Sequence, residues 1–114
     1  MMLDADAKLC LLEDIADNDA LGMVARIEGK QRNIFIARRG DAAYAYINWC
    51  PHAQLLIDQV PGKFFEPEHK YIRCGMHRAT FRVEDGFCIE GPCEGESLKS
   101  INIEIQDGAV YLAE

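Results

Sequence analysis

The chain has 114 residues and a formal net charge of −7, enough for one domain with its own core and too few for a second. That acidity argues against nucleic acid or an anionic membrane surface as a partner and suits a basic partner protein. No apolar run nears the roughly 18 residues that span a bilayer, and the acidic start Met1-Met2-Leu3-Asp4-Ala5-Asp6 predicts no signal peptide.

In chain order, 14–21 could form a helical turn ahead of the first strand. Short apolar stretches then recur at 23–27, 33–37, 43–48, 71–74, 80–83, 100–105 and 109–112. Ile34 and Ile36, Tyr44 and Tyr46, and Ile101, Ile103 and Ile105 alternate with period two, the pattern of half-buried strands. Glu28-Gly29, Gly40-Asp41, Asp85-Gly86 and Asp107-Gly108 lie between such runs and read as hairpin turns. The expectation is an all-β chain, a sandwich or partly closed barrel. The region from about 48 to 95 differs, because it holds all four prolines and the long stretch 53–70. Loops of that length in a compact domain are usually functional. A β base carrying a loop-rich insertion is therefore expected, within a single domain over 1–114.

That region contains two clips, Cys50-Pro51-His52 and Cys74-Gly75-Met76-His77, with 21 residues between His52 and Cys74. Each pairs a soft thiolate with an imidazole one or two residues away. A binuclear iron–sulfur cluster suits this spacing, since both cysteines can bind one iron while both histidines bind the other. The separation of the irons means that Cys50 and His52 need not crowd onto one metal. Tetrahedral zinc is the competing reading, but zinc sites of this composition usually pair like with like, as C-x₂₋₄-C and H-x₃₋₅-H. Five cysteines is an odd number, and taking two as ligands leaves Cys10, Cys88 and Cys93. That set fits a reducing compartment, and a cytoplasmic location is expected.

On the two clips, Phe81, Asp85-Gly86, Gly91-Pro92-Cys93 and the strand pair over 98–112, the chain resembles the Rieske-type 2Fe–2S ferredoxins of bacterial ring-hydroxylating oxygenase systems. The resemblance implies stacked antiparallel sheets, three in number. It also implies a cluster-binding subdomain at about 48–95, with the cluster between two ligand loops and a covering proline loop, Gly91-Pro92-Cys93. One 2Fe–2S cluster per chain would be held by Cys50, His52, Cys74 and His77. The implied function is a soluble one-electron carrier, passing electrons from a flavin-dependent reductase to a terminal oxygenase, a component rather than a catalyst on its own. A small Rieske-like subunit of a nitrite-reductase type enzyme is the alternative, alongside the zinc module. Many such subunits lack the ligands, and all four are present here.

Departures from the family pattern carry information. Respiratory-chain relatives bear a disulfide at the positions of Leu55 and Met76, which cannot form here. They also place serine and tyrosine hydroxyls against sulfur where this chain has Ala79 and Phe81. Hydrogen bonds to sulfur stabilise the reduced state, so a potential near the low end of the Rieske range of about −150 to +300 mV is expected. Arg78 stands where the family usually has glycine. The ring nitrogens of His52 and His77 that do not bind iron predict a potential that depends on pH only from neutral to alkaline.

Among the remaining residues, Leu55-Leu56-Ile57 read as shielding for the cluster or as an apolar docking rim, with Asp58, Glu66 and Glu68 around it. Trp49 is expected to pack under the ligand loop, Cys10 and Cys88 to be core thiols, and His69 to lie at the surface. An oxygenase site would need a 2-His-1-carboxylate triad, and only His69 remains.

Overall fold

The computed structural model describes residues 7–50, 55–58, 60–74, 79–91 and 95–113. Its strands are β1 (Lys8–Leu11), β2 (Ala20–Ile27), β3 (Lys30–Arg39), β4 (Ala42–Ile47), β5 (Ile72–Arg73), β6 (Thr80–Phe81), β7 (Cys88–Glu90), β8 (Ser100–Ile101), β9 (Ile103–Gln106) and β10 (Ala109–Leu112). They form three sheets of order β1-β10-β9, β2-β3-β4-β8 and β5-β6-β7, and every pairing is antiparallel. This is the all-β chain that the strand pattern predicts, in the three sheets that the family resemblance implies. Among the described residues no helix is long and apolar enough to cross a membrane.

The four-stranded sheet is the middle layer, and its burial shows why. Ile34, Phe35, Ile36 and Ala37 of β3 are all buried, so both faces of that strand are covered. Alternate residues enter different cores. Ile36 and Ala45 join Cys10, Leu12, Ile15 and Val110 on the side of the first sheet. Phe35, Ala37 and Tyr46 join Phe64, Ile72, Phe81, Val83 and Leu98 on the side of the third. The half-buried reading of Ile34 and Ile36 is thus corrected: a continuous apolar run marks a strand enclosed on two faces.

Aromatic packing joins the middle sheet to the third. Phe35 stacks on Phe64 with ring centroids 4.7 Å apart and lies 5.6 Å from Tyr46. Phe64 can lie over β2 because Gly22 faces it, and a Cβ there would come within 2.9 Å of the Phe64 ring. The Tyr46 hydroxyl, buried between the layers, donates to the Val83 carbonyl at 2.5 Å. Arg39, at the end of β3, donates to the Asn18 side chain and the Lys70 carbonyl and pairs with Glu84 at 3.5 Å. These ties hold the long loop and the β6–β7 hairpin against the base.

Several local expectations need correction. The turn placed at 14–21 is instead a single 3₁₀ turn at Leu12–Asp14, and Ala20 already lies in β2. The stretch 100–105 is not one strand, since β8 pairs with β4 while β9 pairs with β10, and the chain changes sheets at Asn102. β1 and β7 carry no period-two signal long enough to be read locally; β1 gains its partner β10 from the far end of the chain, whereas β7 pairs with the nearby two-residue strand β6.

Candidate metal centre

Cys50 and Cys74 are both fully buried, at the inner end of the core between the middle and third sheets. Each opens a ligand loop in the same way. The Cys50 N–H donates to the Leu55 carbonyl at 2.8 Å, and the Cys74 N–H donates to the Ala79 carbonyl at 2.9 Å. Four residues lie inside each closure, and each set contains one histidine: His52 in the first, His77 in the second. Both histidines lie outside the described residues, as do Met76, Arg78, Pro92 and Cys93.

The flanks of the two loops are built differently. Beyond the second closure the ladder continues in register as β5–β6, with Arg73 opposite Thr80 and Ile72 opposite Phe81. The second closure is therefore backed by continuous backbone pairing. Beyond the first closure the corresponding rung would join residue 48 to residue 57. Here the Asn48 backbone N–H is committed to the Asn33 carbonyl of the middle sheet at 2.8 Å. The Ile57 N–H instead donates to the side-chain Oδ1 of Asn48 at 2.8 Å. The amide of Asn48 in turn donates to Asp58 Oδ1 at 2.8 Å, and Asp58 Oδ2 accepts the Gly62 N–H at 3.0 Å.

The donor chemistry fits a thiolate-bound metal group. Cys10, Cys50, Cys74 and Cys88 are thiols rather than disulfides, and soft thiolates select iron–sulfur, zinc or cuprous centres. Cys50 and Cys74 are set among Ile57, Ile72, Ala79, Phe81 and Val83, a dry apolar shell that controls solvent access to a bound metal. Ala79 and Phe81 are themselves fully buried here, and neither carries a side-chain donor. Of the other two thiols, Cys88 shares this core and Cys10 does not. Cys10 belongs to the far core, where burial and then the Asp14 carboxylate push its thiol up, an inert filler. Cys88 on β7 is buried as expected, and its thiol contacts the Glu90 carbonyl at 3.4 Å.

The two readings of 55–57 divide between the residues. Ile57 is fully buried, whereas Leu55 and Leu56 are partly exposed. Trp49 is 47% exposed and Val60 57% exposed; residues 51–54 of the loop that Trp49 is expected to support lie outside the described residues. Of the acidic residues, Asp58 is committed to Asn48 and Gly62. The Glu66 carboxylate accepts the backbone N–H groups of Glu68, Lys70 and Tyr71. Desolvation pushes the Glu66 carboxyl up, but the Lys70, Glu68 and Tyr71 donors and the nearby His69 outweigh it and hold it below its ordinary value. Glu68 pairs with Lys70 at 3.4 Å. His69 is at the surface as expected, with its Nδ1 donating to the Asn18 carbonyl at 2.9 Å. Asn48 is a buried, doubly bonded residue that sequence reading missed; its one signal is a polar side chain two residues before Cys50.

Comparison with known proteins adds the family. No curated relative matches the chain. Among solved structures, the ferredoxin of carbazole 1,9a-dioxygenase from Nocardioides aromaticivorans IC177 is 22% identical, with a TM-score of 0.72 over 93% of this chain and 94% of that one. The Sphingomonas yanoikuyae B1 ferredoxin is 18% identical, with a TM-score of 0.73 over 94% and 96%. A chain in the complex of reduced oxygenase and oxidized ferredoxin in carbazole 1,9a-dioxygenase is 25% identical, with a TM-score of 0.71 over 93% and 90%. The model of the Rieske [2Fe-2S] domain matches residues 7–105, and this span takes in both clips and the strands from β1 into β9. The chain therefore belongs to the Rieske [2Fe–2S] domain family, and its cofactor is a 2Fe–2S cluster.

Proposed function

We propose that the protein is a one-electron carrier of an oxygenase system, folded as a single Rieske domain over 1–114 with its cluster-binding subdomain at about 48–95. Cys50 and Cys74 would bind one iron and His52 and His77 the other. What carries the reading is the matched pair of buried thiols, each closing a four-residue loop that contains one histidine. When bound, such a cluster supplies the exchange of a single electron at a potential above that of all-cysteine ferredoxins.

The chain's own residues do the rest. Ile57, Ile72, Phe81 and Val83 keep water from the cysteine side. Ala79 and Phe81 offer no side-chain hydrogen bond to sulfur, which supports a potential in the lower part of the family range. Trp49, Leu55, Leu56 and Val60 expose apolar surface on the segment that carries the first ligand loop. A small apolar patch of this kind suits the weak, transient docking of redox partners. A terminal oxygenase is the proposed acceptor, supported by the 25% likeness to a chain of the oxygenase–ferredoxin complex. A flavin-dependent reductase is the proposed donor, and the cytoplasm the proposed location.

Low-temperature EPR of the anaerobically purified, dithionite-reduced protein tests the ligand set. The expected result is a rhombic signal with average g below the free-electron value, abolished by Cys74→Ser. A silent spectrum with stoichiometric zinc would replace the carrier by a structural zinc module. Voltammetry of the same sample is expected to give a potential below zero, and a value well above zero would refute the low-potential assignment.

A further inference from the structure

The two ligand loops share one closing hydrogen bond but not one support. The second is braced by continuous backbone pairing, β5 to β6. The first lacks that pairing, since the β4 end is already bonded to β3 through the Asn48 N–H. We infer that Asn48 is a positioning residue for the first ligand loop, its side-chain amide standing in for the missing rung and locking residues 55–58 in register beneath Cys50.

Three observations support the assignment. Asn48 is 5% exposed and is the buried polar side chain among the described residues; burying an amide is costly unless its groups are bonded. Its Oδ1 takes the buried Ile57 N–H and its Nδ2 takes Asp58, so both ends of the amide are used. Asp58 passes the restraint on to Gly62, which fixes the chain leaving the loop as well as the chain entering it. Asn48 and Cys50 are two residues apart at the end of one strand, so slack at position 57 is transmitted directly to the loop that Cys50 opens. The hydrogen bonds of Asn48 among the described residues go to Asn33, Ile57 and Asp58, and it acts through the last two.

The inference rests on Cys50 being a cluster ligand, and its test uses the cluster-bearing protein. Asn48→Ala leaves the Ile57 N–H and the Asp58 carboxylate without their partner. It is expected to broaden the EPR features of the reduced cluster and to speed cluster release to a chelator about 10-fold or more, the scale of lost outer-shell contacts. Asn48→Asp is expected to do the same, because it sets two carboxylates face to face. The double variant Asn48→Asp with Asp58→Asn is the decisive one. It restores every bond with donor and acceptor exchanged: position 48 accepts from Ile57 and from the new amide, whose oxygen accepts from Gly62. Net charge is unchanged, so wild-type line shape and a release rate within about 2-fold of wild type are expected.

Single variants that lower thermal stability but keep the wild-type spectrum and release rate would overturn the inference, leaving Asn48 as ordinary structural support. If neither single variant folds, the double variant still decides, and its failure to recover the wild-type spectrum would equally overturn the inference. A wild-type protein that binds no 2Fe–2S cluster would instead overturn the ligand reading on which the inference rests.

Discussion

Replacing Tyr46 by Phe isolates the bond that ties the middle sheet to the third. The ring stays, with its contact to Phe35, and only the hydroxyl that donates to the Val83 carbonyl is lost. That carbonyl lies at a buried site, so its loss of a partner costs desolvation as well as the bond, about 1–3 kcal/mol. Unfolding entropy near 2.1 cal/mol/K per residue amounts to roughly 0.24 kcal/mol/K for a chain of this length, so a cost of about 1.5 kcal/mol lowers Tm by about 6 °C. The assay is calorimetry of the cluster-bearing protein at matched cluster content and scan rate, because unfolding that releases a cofactor is governed partly by kinetics. The same burial, with the Asp85, Glu84 and Tyr44 charges behind it, pushes the Tyr46 phenol well above its ordinary value. Difference titration should accordingly show no phenolate absorbance lost in the variant below the pH at which the fold opens. A Tm within 1 °C of wild type would refute the claim that this hydroxyl joins the layers.

Two further substitutions probe the neighbouring ties. Gly86 has φ +71° and an added Cβ would come within 2.8 Å of the Tyr46 ring, so Gly86→Ala combines backbone strain with overpacking and should cost at least about 2 kcal/mol; retention of wild-type Tm would show that the β6–β7 turn yields easily. Glu66→Gln tests the loop cap by pH. Because the folded Glu66 carboxyl lies below its ordinary value of 4.5, its contribution is complete above that value and is lost as pH falls through the lowered folded value. Wild type should therefore lose stability more steeply than Glu66→Gln on acidification below about pH 4.5, and parallel curves would count against the cap.

The local code was legible where a hairpin is its own template. The strands β2, β3 and β4 follow from their short apolar runs and from the turns at Glu28-Gly29 and Gly40-Asp41, signals that lie within the hairpins themselves. Two features that sequence reading missed depend on distant partners. β1 is a strand because β10 lies beside it, and 100–106 splits because its two halves are claimed by different sheets. The acidic residues show the same limit. Asp58 and Glu66 read as solvated docking charges, yet their oxygens are taken by Asn48, by Gly62 and by loop N–H groups brought near by folding.

The sequence by itself determined the family and the candidate ligands: two cysteine–histidine clips at a spacing that suits two irons, in a chain of short antiparallel strands. Ligand identity lies in side-chain type and local spacing, which need no fold to be read. Only the tertiary structure decided how the loops that carry those clips are held. Backbone hydrogen-bonding capacity is limited to one donor and one acceptor per residue, and at Asn48 the donor is already spent on β3. The first loop must then be secured by a side chain while the second is secured by its own backbone, a difference that no local pattern in the sequence records.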